Sequence, residues 1–165
     1  MDYKYKKVRG TYDILPEKLT LYRLIEETAR KVFEKYQYKE LRIPTFEFQD
    51  LFIHSTGSTT DIVEKEMFVF DDRKGRKLAL RPEGTPGVVR AYIENQLYLK
   101  YPISKFCYFG QMFRYERPQE GRYREFYQIG CEYFGNAHPV ADAEVIILLK
   151  EILNSVGITD IDIKL

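Results

Sequence analysis

Two stretches of the sequence place arginine beside acidic or amide side chains. The first is Arg81-Pro82-Glu83-Gly84-Thr85, and the second runs from Arg114 to Glu132. Three further arginines crowd the early part of the second stretch: Arg117, Arg122 and Arg124. A guanidinium donates hydrogen bonds in a planar fork that matches a phosphate or a carboxylate. The second stretch therefore predicts a site for an anionic ligand.

Side-chain alternation in the second stretch predicts two paired strands, 105–116 and 124–134, joined by the arginine-rich loop. One face carries residues that a helix should cover: Cys107, Phe109, Phe113, Tyr115, Tyr127, Ile129, Cys131 and Tyr133. The other face carries Gly110, Arg114, Glu116, Phe126, Gln128, Gly130 and Glu132. Because glycine weakens a strand, the two glycines predict open space for a ligand above this face. The alternative is a solvated face whose Arg114, Glu116 and Glu132 form surface ion pairs, each worth ~0–1 kcal/mol.

The first stretch stands where a helix is predicted to begin. Thr85 followed by Pro86 is typical of a hydroxyl cap with proline at the first helical position. A helix N-terminus favours an anion, which makes Glu83-Gly84-Thr85 a second candidate site. The alternative is a simple helix cap in which Arg81 is the cationic partner of Glu83.

Other elements must position these stretches. Helical spacing predicts helices over 16–38, 85–98 and 139–155, and Gly157 is a plausible stop for the last one. Short strands are predicted at 67–70 and 77–80, a loop at 54–61, and a further strand at 161–165. Residues 40–48 alternate like a strand, but Pro44 cannot donate to a ladder and marks an edge, a bulge or a subunit boundary.

Composition narrows the class of protein. The 165 residues include 44% hydrophobic and 31% charged residues, which is typical of a globular domain. No signal peptide or membrane-spanning run is visible, and two cysteines cannot form a disulfide framework, so a reduced, cytoplasmic setting is expected. The net charge of +1 disfavours a protein that binds nucleic acid mainly by neutralising phosphates. Two histidines and two cysteines, none adjacent, predict no metal site.

Three motifs resemble those of the histidyl-tRNA synthetase family. They are Arg81-Pro82-Glu83-Gly84-Thr85, Met112-Phe113-Arg114-Tyr115-Glu116-Arg117-Pro118-Gln119 and Gly121-Arg122-Tyr123-Arg124-Glu125-Phe126-Tyr127-Gln128-Ile129-Gly130-Cys131-Glu132. The opening Arg9-Gly10-Thr11-Tyr12-Asp13-Ile14-Leu15-Pro16 is also similar to that family's start. The resemblance implies an α+β fold, an antiparallel sheet flanked by helices, of the class II aminoacyl-tRNA synthetase catalytic type.

The resemblance also implies roles for individual residues. Arg114 would contact the α-phosphate of ATP and the substrate carboxylate as the catalytic residue. Phe126 would stack on adenine, and Glu116 and Arg122 would hold the base and the outer phosphates. Glu83 and Thr85, with Gly84, would bind the α-amino group of histidine. Gln128 and Glu132 would complete the amino-acid pocket, with Glu132 near the imidazole.

Partners follow from the same resemblance. ATP would enter as a substrate with Mg²⁺, and no tightly bound cofactor is expected. The loop 117–124 would contact the acceptor end of tRNA(His), and the chain would form a homodimer through the region of Pro44.

The resemblance is to one part of that family's catalytic domain, covering its first two motifs over residues 1–165. A second catalytic arginine, a third motif and an anticodon-binding domain are not in this sequence, so the catalytic fold is expected to be incomplete. We therefore expect this chain alone to be inactive in adenylation. A histidine-sensing regulatory paralogue of the first enzyme of histidine biosynthesis is the alternative, and a stand-alone nucleic-acid-binding fragment is a weaker one.

Overall fold

The computed structural model describes residues 4–56, 66–117, 119 and 121–164. These residues form two compact units. The first contains the described parts of 1–13, 43–91 and 110–128, and the second contains 14–42, 92–109 and the described part of 129–165. Each unit combines helices with strands, which confirms the predicted α+β class.

The second unit is built around two long helices. They are α1 (Pro16–Lys35) and α5 (Pro139–Ser155), accompanied by strand β1 (Lys39–Glu40) and the short helix α4 (Leu97–Lys100). Strands β5 (Ser104–Phe113) and β6 (Glu125–Phe134) contribute residues to both units, and the sheet order is β1-β5-β6 with β1 parallel to β5. The core of the second unit contains Ala29, Val32, Phe33, Tyr38, Cys107, Leu148 and Ile152.

Partly buried residues of β5 and β6 pack against that core, namely Phe109, Ile129 and Cys131. This confirms that helices cover the predicted apolar face at these positions. Burial raises the pKa of both cysteine thiols to about 11, so Cys107 and Cys131 behave as packing residues. Tyr115 and Tyr127 are exposed, which corrects the expectation that the whole apolar face would be covered.

The first unit contains a small antiparallel sheet of order β2-β4-β3. Its strands are β2 (Phe46–Phe48), β3 (Val69–Asp71) and β4 (Lys77–Leu80). Helix α2 (Gln49–Thr56) follows β2, and helix α3 begins at Thr85 and ends at Glu94. Phe46 lies opposite Leu80, so β2 flanks the strand that leads into the first sequence stretch.

Several predicted boundaries shift for local physical reasons. The predicted strand 40–48 is two short strands with Pro44 between them, because proline cannot join the ladder. The predicted helix 85–98 breaks at Gln96, whose φ of 51° is left-handed. The predicted helix 16–38 ends at Lys35, shortly before Gln37 with its φ of 65°.

Two predicted elements are wrong where the structure describes them. Residues 54–56 belong to α2 and not to a loop, while 57–61 lie outside the described residues. Residues 161–164 are not in a strand, since no described strand pairs with them. The predicted helix 139–155 is confirmed, and the Nδ1 of His138 caps it by accepting from the backbone N–H of Val140.

The two glycines do not leave open space above the strands. A β-carbon on Gly130 would overlap the ring of Tyr108, and one on Gly110 would overlap Nη2 of Arg81. The prediction of an empty floor was therefore wrong, because two long side chains already occupy the volume that the missing β-carbons provide.

Among the described residues, no helix is long and apolar enough to cross a membrane.

Candidate functional site

The first sequence stretch connects β4 to α3 and has a defined backbone. The carbonyl of Gly84 accepts from the N–H of Val88 at 3.1 Å, which makes Gly84 the cap and Thr85 the first helical residue. The prediction that Thr85 is the cap is therefore wrong, since the capping position is Gly84, which has no hydroxyl. Pro86 stands second in the helix, where its missing N–H costs no hydrogen bond.

Arg114 follows directly after β5 and is held by one edge of its guanidinium. Its Nε donates to the carbonyl of Pro82 at 3.0 Å, and its Cζ lies 5.1 Å from the ring centroid of Phe126. Its Nη atoms make no hydrogen bond or ion pair within the described part of the chain. The outer edge of the fork is therefore available to an anion.

Gln128 joins the second stretch to the first. Its Oε1 accepts the backbone N–H of Gly84 at 3.1 Å, and its Nε2 has no partner in the described ranges. The structure thus brings together Gly84, Arg114, Phe126 and Gln128, which sequence analysis assigned to two separate candidate sites. All four lie in the first unit.

Glu83 contributes a carboxylate beside this group. Its side chain is half-buried and makes no hydrogen bond or ion pair with any described residue. Arg81 is not its partner, because that guanidinium donates to the carbonyls of Ile43, Pro44 and Gln111. The alternative in which Arg81 neutralises Glu83 is therefore wrong, and Glu83 can accept a cationic group.

Glu116 and Arg122 form a looser pair in the loop that follows β5. Oε2 of Glu116 lies 3.7 Å from Nη1 of Arg122, and the Glu116 side chain is only 16% exposed. That Oε2 atom is buried and accepts no hydrogen bond. Arg122 pairs with Gln119 through two backbone hydrogen bonds, and Gly121 takes a φ of 78° that suits the tight turn.

Arg124 anchors the loop to the start of the chain. Its backbone N–H donates to the carbonyl of Gly10 at 2.7 Å, and its Cζ lies 4.1 Å from the ring centroid of Tyr115. A cavity of about 350 Å³ is lined by Arg9, Tyr115, Glu116, Arg117 and Arg124. Sequence analysis did not assign Arg9 or Gly10 to the site, because nothing local links them to a loop more than a hundred residues away.

The remaining two assigned residues lie on α3 and β6. Thr85 is exposed in the first turn of α3. Glu132 lies on the part of β6 that belongs to the second unit, and its place in the amino-acid pocket stays a prediction.

The assembled side chains offer groups that could bind both a cationic and an anionic part of a ligand. A free guanidinium edge suits a carboxylate or phosphate, a free carboxylate suits an ammonium group, and a free amide N–H suits another acceptor. Among the described residues, no group of histidine, cysteine, aspartate or glutamate side chains could hold a metal ion.

Comparison with known proteins gives a consistent result. A family model described as histidyl-tRNA synthetase matches residues 10–165. The histidine–tRNA ligase of Dictyoglomus turgidum is 55% identical over 157 residues, which is 95% of this chain and 38% of that protein. The chain therefore spans well under half the length of this relative.

Solved structures support the same relationship. The apo histidyl-tRNA synthetase of S. aureus matches with a TM-score of 0.78 and 40% identity, over 93% of this chain and 35% of that one. A Bacillus halodurans protein, described as an ATP phosphoribosyltransferase regulatory subunit/histidyl-tRNA synthetase, matches with a TM-score of 0.80 and 26% identity. That match covers 95% of this chain and 39% of the other.

The α+β fold and these matches place the chain among the aminoacyl-tRNA synthetase families. More narrowly, the chain belongs to the histidyl-tRNA synthetase family and aligns with part of its catalytic domain.

Replacing Gln128 tests the contact that joins the two stretches. Gln128→Ala leaves the buried N–H of Gly84 without its acceptor, and we expect it to lower the free energy of unfolding by about 1–3 kcal/mol. Gln111→Ala is the matched control, since Nε2 of Gln111 bonds only the exposed hydroxyl of Tyr127, and its effect should stay within about 0.5 kcal/mol. Urea unfolding measures both, and equal small effects would contradict the buried contact.

Proposed function

We propose that this chain provides the histidine- and ATP-binding part of a histidine–tRNA ligase. The observation that carries the proposal is that the Nη edge of Arg114 and the carboxylate of Glu83 both lack a partner among the described residues. Their segments are joined by the Arg114–Pro82 and Gly84–Gln128 hydrogen bonds. One free cation and one free anion in a connected site match the two charged ends of an amino acid.

The first step would be adenylation of histidine. A carboxylate oxygen attacks the α-phosphorus of ATP, the bond to the β-phosphate oxygen breaks, and pyrophosphate leaves. Because two anions must approach, a guanidinium that touches both lowers their repulsion and stabilises the developing charge. Removing such a contact typically raises the barrier by about 2.7–4 kcal/mol. Arg114 would supply it through its free edge.

The remaining side chains would bind the parts of the substrates that do not react. Glu83 and Thr85, with Gly84, would hold the α-amino group, and Gln128 and Glu132 would line the amino-acid pocket. Phe126 would stack on adenine, while Glu116 and Arg122 would hold the base and outer phosphates. Mg²⁺ would accompany ATP as part of the substrate, with no resident cofactor in the protein.

In the second step the histidyl group would pass to the 3′ end of tRNA(His), and AMP would leave. The exposed Arg117 and Arg122 make the loop 117–124 the candidate contact for the acceptor end. Such a role in translation would place the protein in the cytoplasm.

The regulatory alternative receives one supporting observation, the likeness to the Bacillus halodurans protein whose description includes a regulatory subunit. The S. aureus synthetase is more similar in sequence, at 40% against 26% identity. The residues that the resemblance assigns to the first two synthetase motifs are also present here. We therefore favour the ligase, and a histidine sensor would bind histidine without forming an adenylate.

A homodimer is the second part of the proposal, and the β2-β4-β3 sheet offers a surface for it. Phe46 and Phe48 are each 52% exposed, while Glu47 between them pairs with Arg90. Phe70 on β3 is also exposed and lies on the same face, since Phe48 and Phe70 both pair with Leu78. Exposed apolar side chains clustered on one small sheet are typical of a protein interface, and we assign a second copy of the chain to it.

Histidine binding tests the amino-acid site. Glu83→Gln should weaken binding of histidine to the chain about tenfold or more, because a hydrogen bond to a charged group is worth ~1.5–3 kcal/mol. Imidazole-propionate lacks the ammonium group, so its affinity should not change. The exposed Glu27→Gln is the control variant. Calorimetric titration measures the affinity of both ligands for the unsubstituted chain and for both variants. Equal weakening of the two ligands by Glu83→Gln would contradict the role of Glu83.

Catalysis by the 165 residues alone is a separate question. We expect no histidine-dependent ATP–pyrophosphate exchange above the protein-free background, because the second arginine and third motif implied by the resemblance are not in this sequence. A full-length histidyl-tRNA synthetase is the positive control. Exchange at a comparable rate would refute the expectation.

Sedimentation velocity tests the dimer. We expect a dimer at tens of micromolar, and Phe48→Asp should shift it to monomer by burying a charge against the partner. Leu149→Asp introduces the same charge at a residue 56% exposed on α5 and should leave the dimer intact. A monomeric unsubstituted chain, or equal dissociation by both variants, would argue against this surface.

A further inference from the structure

Arg81 is buried beneath the site and uses its side chain only on backbone carbonyls. It is 7% exposed. Its Nε donates to the carbonyl of Gln111 at 2.7 Å, and its Nη1 donates to those of Ile43 at 2.8 Å and Pro44 at 3.3 Å. A buried arginine is commonly paired with an acid, but none pairs with Arg81 within the described residues.

The backbone of Arg81 joins the same segments. Its N–H donates to the carbonyl of Thr45 at 3.0 Å, and its carbonyl accepts from the N–H of Phe113 at 2.9 Å. Arg81 thus donates four hydrogen bonds and accepts one, and these bonds link residues 43–45 and 111–113 to the loop that starts at Pro82. All of these segments lie in the first unit.

Gly110 provides the space that this arrangement needs. A β-carbon at position 110 would overlap Nη2 of Arg81 and would lie 3.3 Å from its Cζ and 3.9 Å from its Nη1. Any residue larger than glycine must therefore displace the guanidinium. The position of the Arg81 guanidinium therefore depends on glycine at position 110.

Arg81 directly precedes the segment that contacts Arg114 and Gln128, so the packing of Arg81 against Gly110 affects the site. The next residue, Pro82, offers the carbonyl that holds Nε of Arg114, and Gly84 donates to Gln128 two residues later. A shift of Arg81 would be transmitted to both contacts through a short, proline-restricted segment.

We propose that Arg81 is a positioning residue, whose guanidinium, seated over Gly110, fixes the Pro82–Gly84 segment against Arg114 and Gln128. Its effect on histidine binding rests on the proposed function, whereas its effect on the segment does not. Lysine cannot replace it, because an ammonium group lacks the planar fork that reaches three separated carbonyls at once.

Nuclear magnetic resonance on the 165-residue chain tests the proposal without any ligand. The reporters are the Nε–H signal of Arg114 and hydrogen exchange at the amide of Gly84. Arg81→Lys should move the Arg114 signal and remove protection at Gly84, while the amide of Gly75, which donates to Asp72, keeps its protection. Arg76→Lys, on the exposed hairpin, is the matched control and should alter neither reporter.

Gly110→Ala is the second variant and decides the matter if Arg81→Lys does not fold. It keeps Arg81 but displaces the guanidinium, so it should change both reporters in the same way. Gly110→Ala should lower the midpoint temperature of thermal unfolding less in an Arg81→Gln background than in the unsubstituted chain. The shorter glutamine side chain leaves room for the added methyl group. Gly130→Ala faces Tyr108 instead and should be additive with Arg81→Gln.

Unchanged reporters in either folded variant would overturn the proposal, as would additivity between positions 81 and 110. If the reporters respond as expected but the unsubstituted chain does not bind histidine, the positioning role stands and the proposed function fails. The same protein samples therefore distinguish a failure of the positioning role of Arg81 from a failure of the proposed histidine binding.

Discussion

The hydrogen bond from Nε of Arg114 to the carbonyl of Pro82 sets the orientation of a guanidinium whose outer edge has no partner among the described residues. An arginine at the end of a strand can rotate about four side-chain bonds, and ordering it costs up to ~2 kcal/mol of entropy. Tying the inner edge of the fork to a carbonyl and resting Cζ 5.1 Å from the Phe126 ring restricts that freedom before any ligand arrives. Preorganisation of this kind makes a cation effective toward charge that develops during a reaction.

The constraint depends on segments that are distant in sequence. Pro82 is held by its neighbour Arg81, which in turn requires the glycine at position 110. Gly84 both caps α3 and donates to Gln128, so the start of the helix and the strand β6 fix the same short segment. Individual charged groups are therefore held in fixed orientations in a chain whose net charge is only +1. An overall charge close to neutral says little about a site built from single oriented groups.

Sequence alone predicted the parts that follow from short-range periodicity. Strand alternation correctly placed Phe109, Ile129 and Cys131 against the helices, and it placed Arg114, Phe126 and Gln128 together on the other face. The motif resemblance identified the family that the comparisons then showed. Both successes rest on information carried by neighbouring residues.

The failures concern volumes and partners that only the fold determines. The glycines at 110 and 130 indicated empty space, but Arg81 and Tyr108 fill it from elsewhere in the chain. The alternative that made Arg81 the partner of Glu83 is wrong, because the buried guanidinium donates to three backbone carbonyls instead. The contact between Arg124 and Gly10 was missed because it joins residues far apart in sequence.

The central claim is that the Pro82–Gly84 segment, Arg114 and Gln128 together bind the charged ends of histidine. A histidine titration followed by ¹H–¹⁵N spectra of the 165-residue chain measures this most directly. The account predicts saturable shifts of the Gly84 amide, the Arg114 Nε–H and the Gln128 side-chain amide with one common dissociation constant. Binding that leaves these three signals in place and shifts residues elsewhere would contradict it.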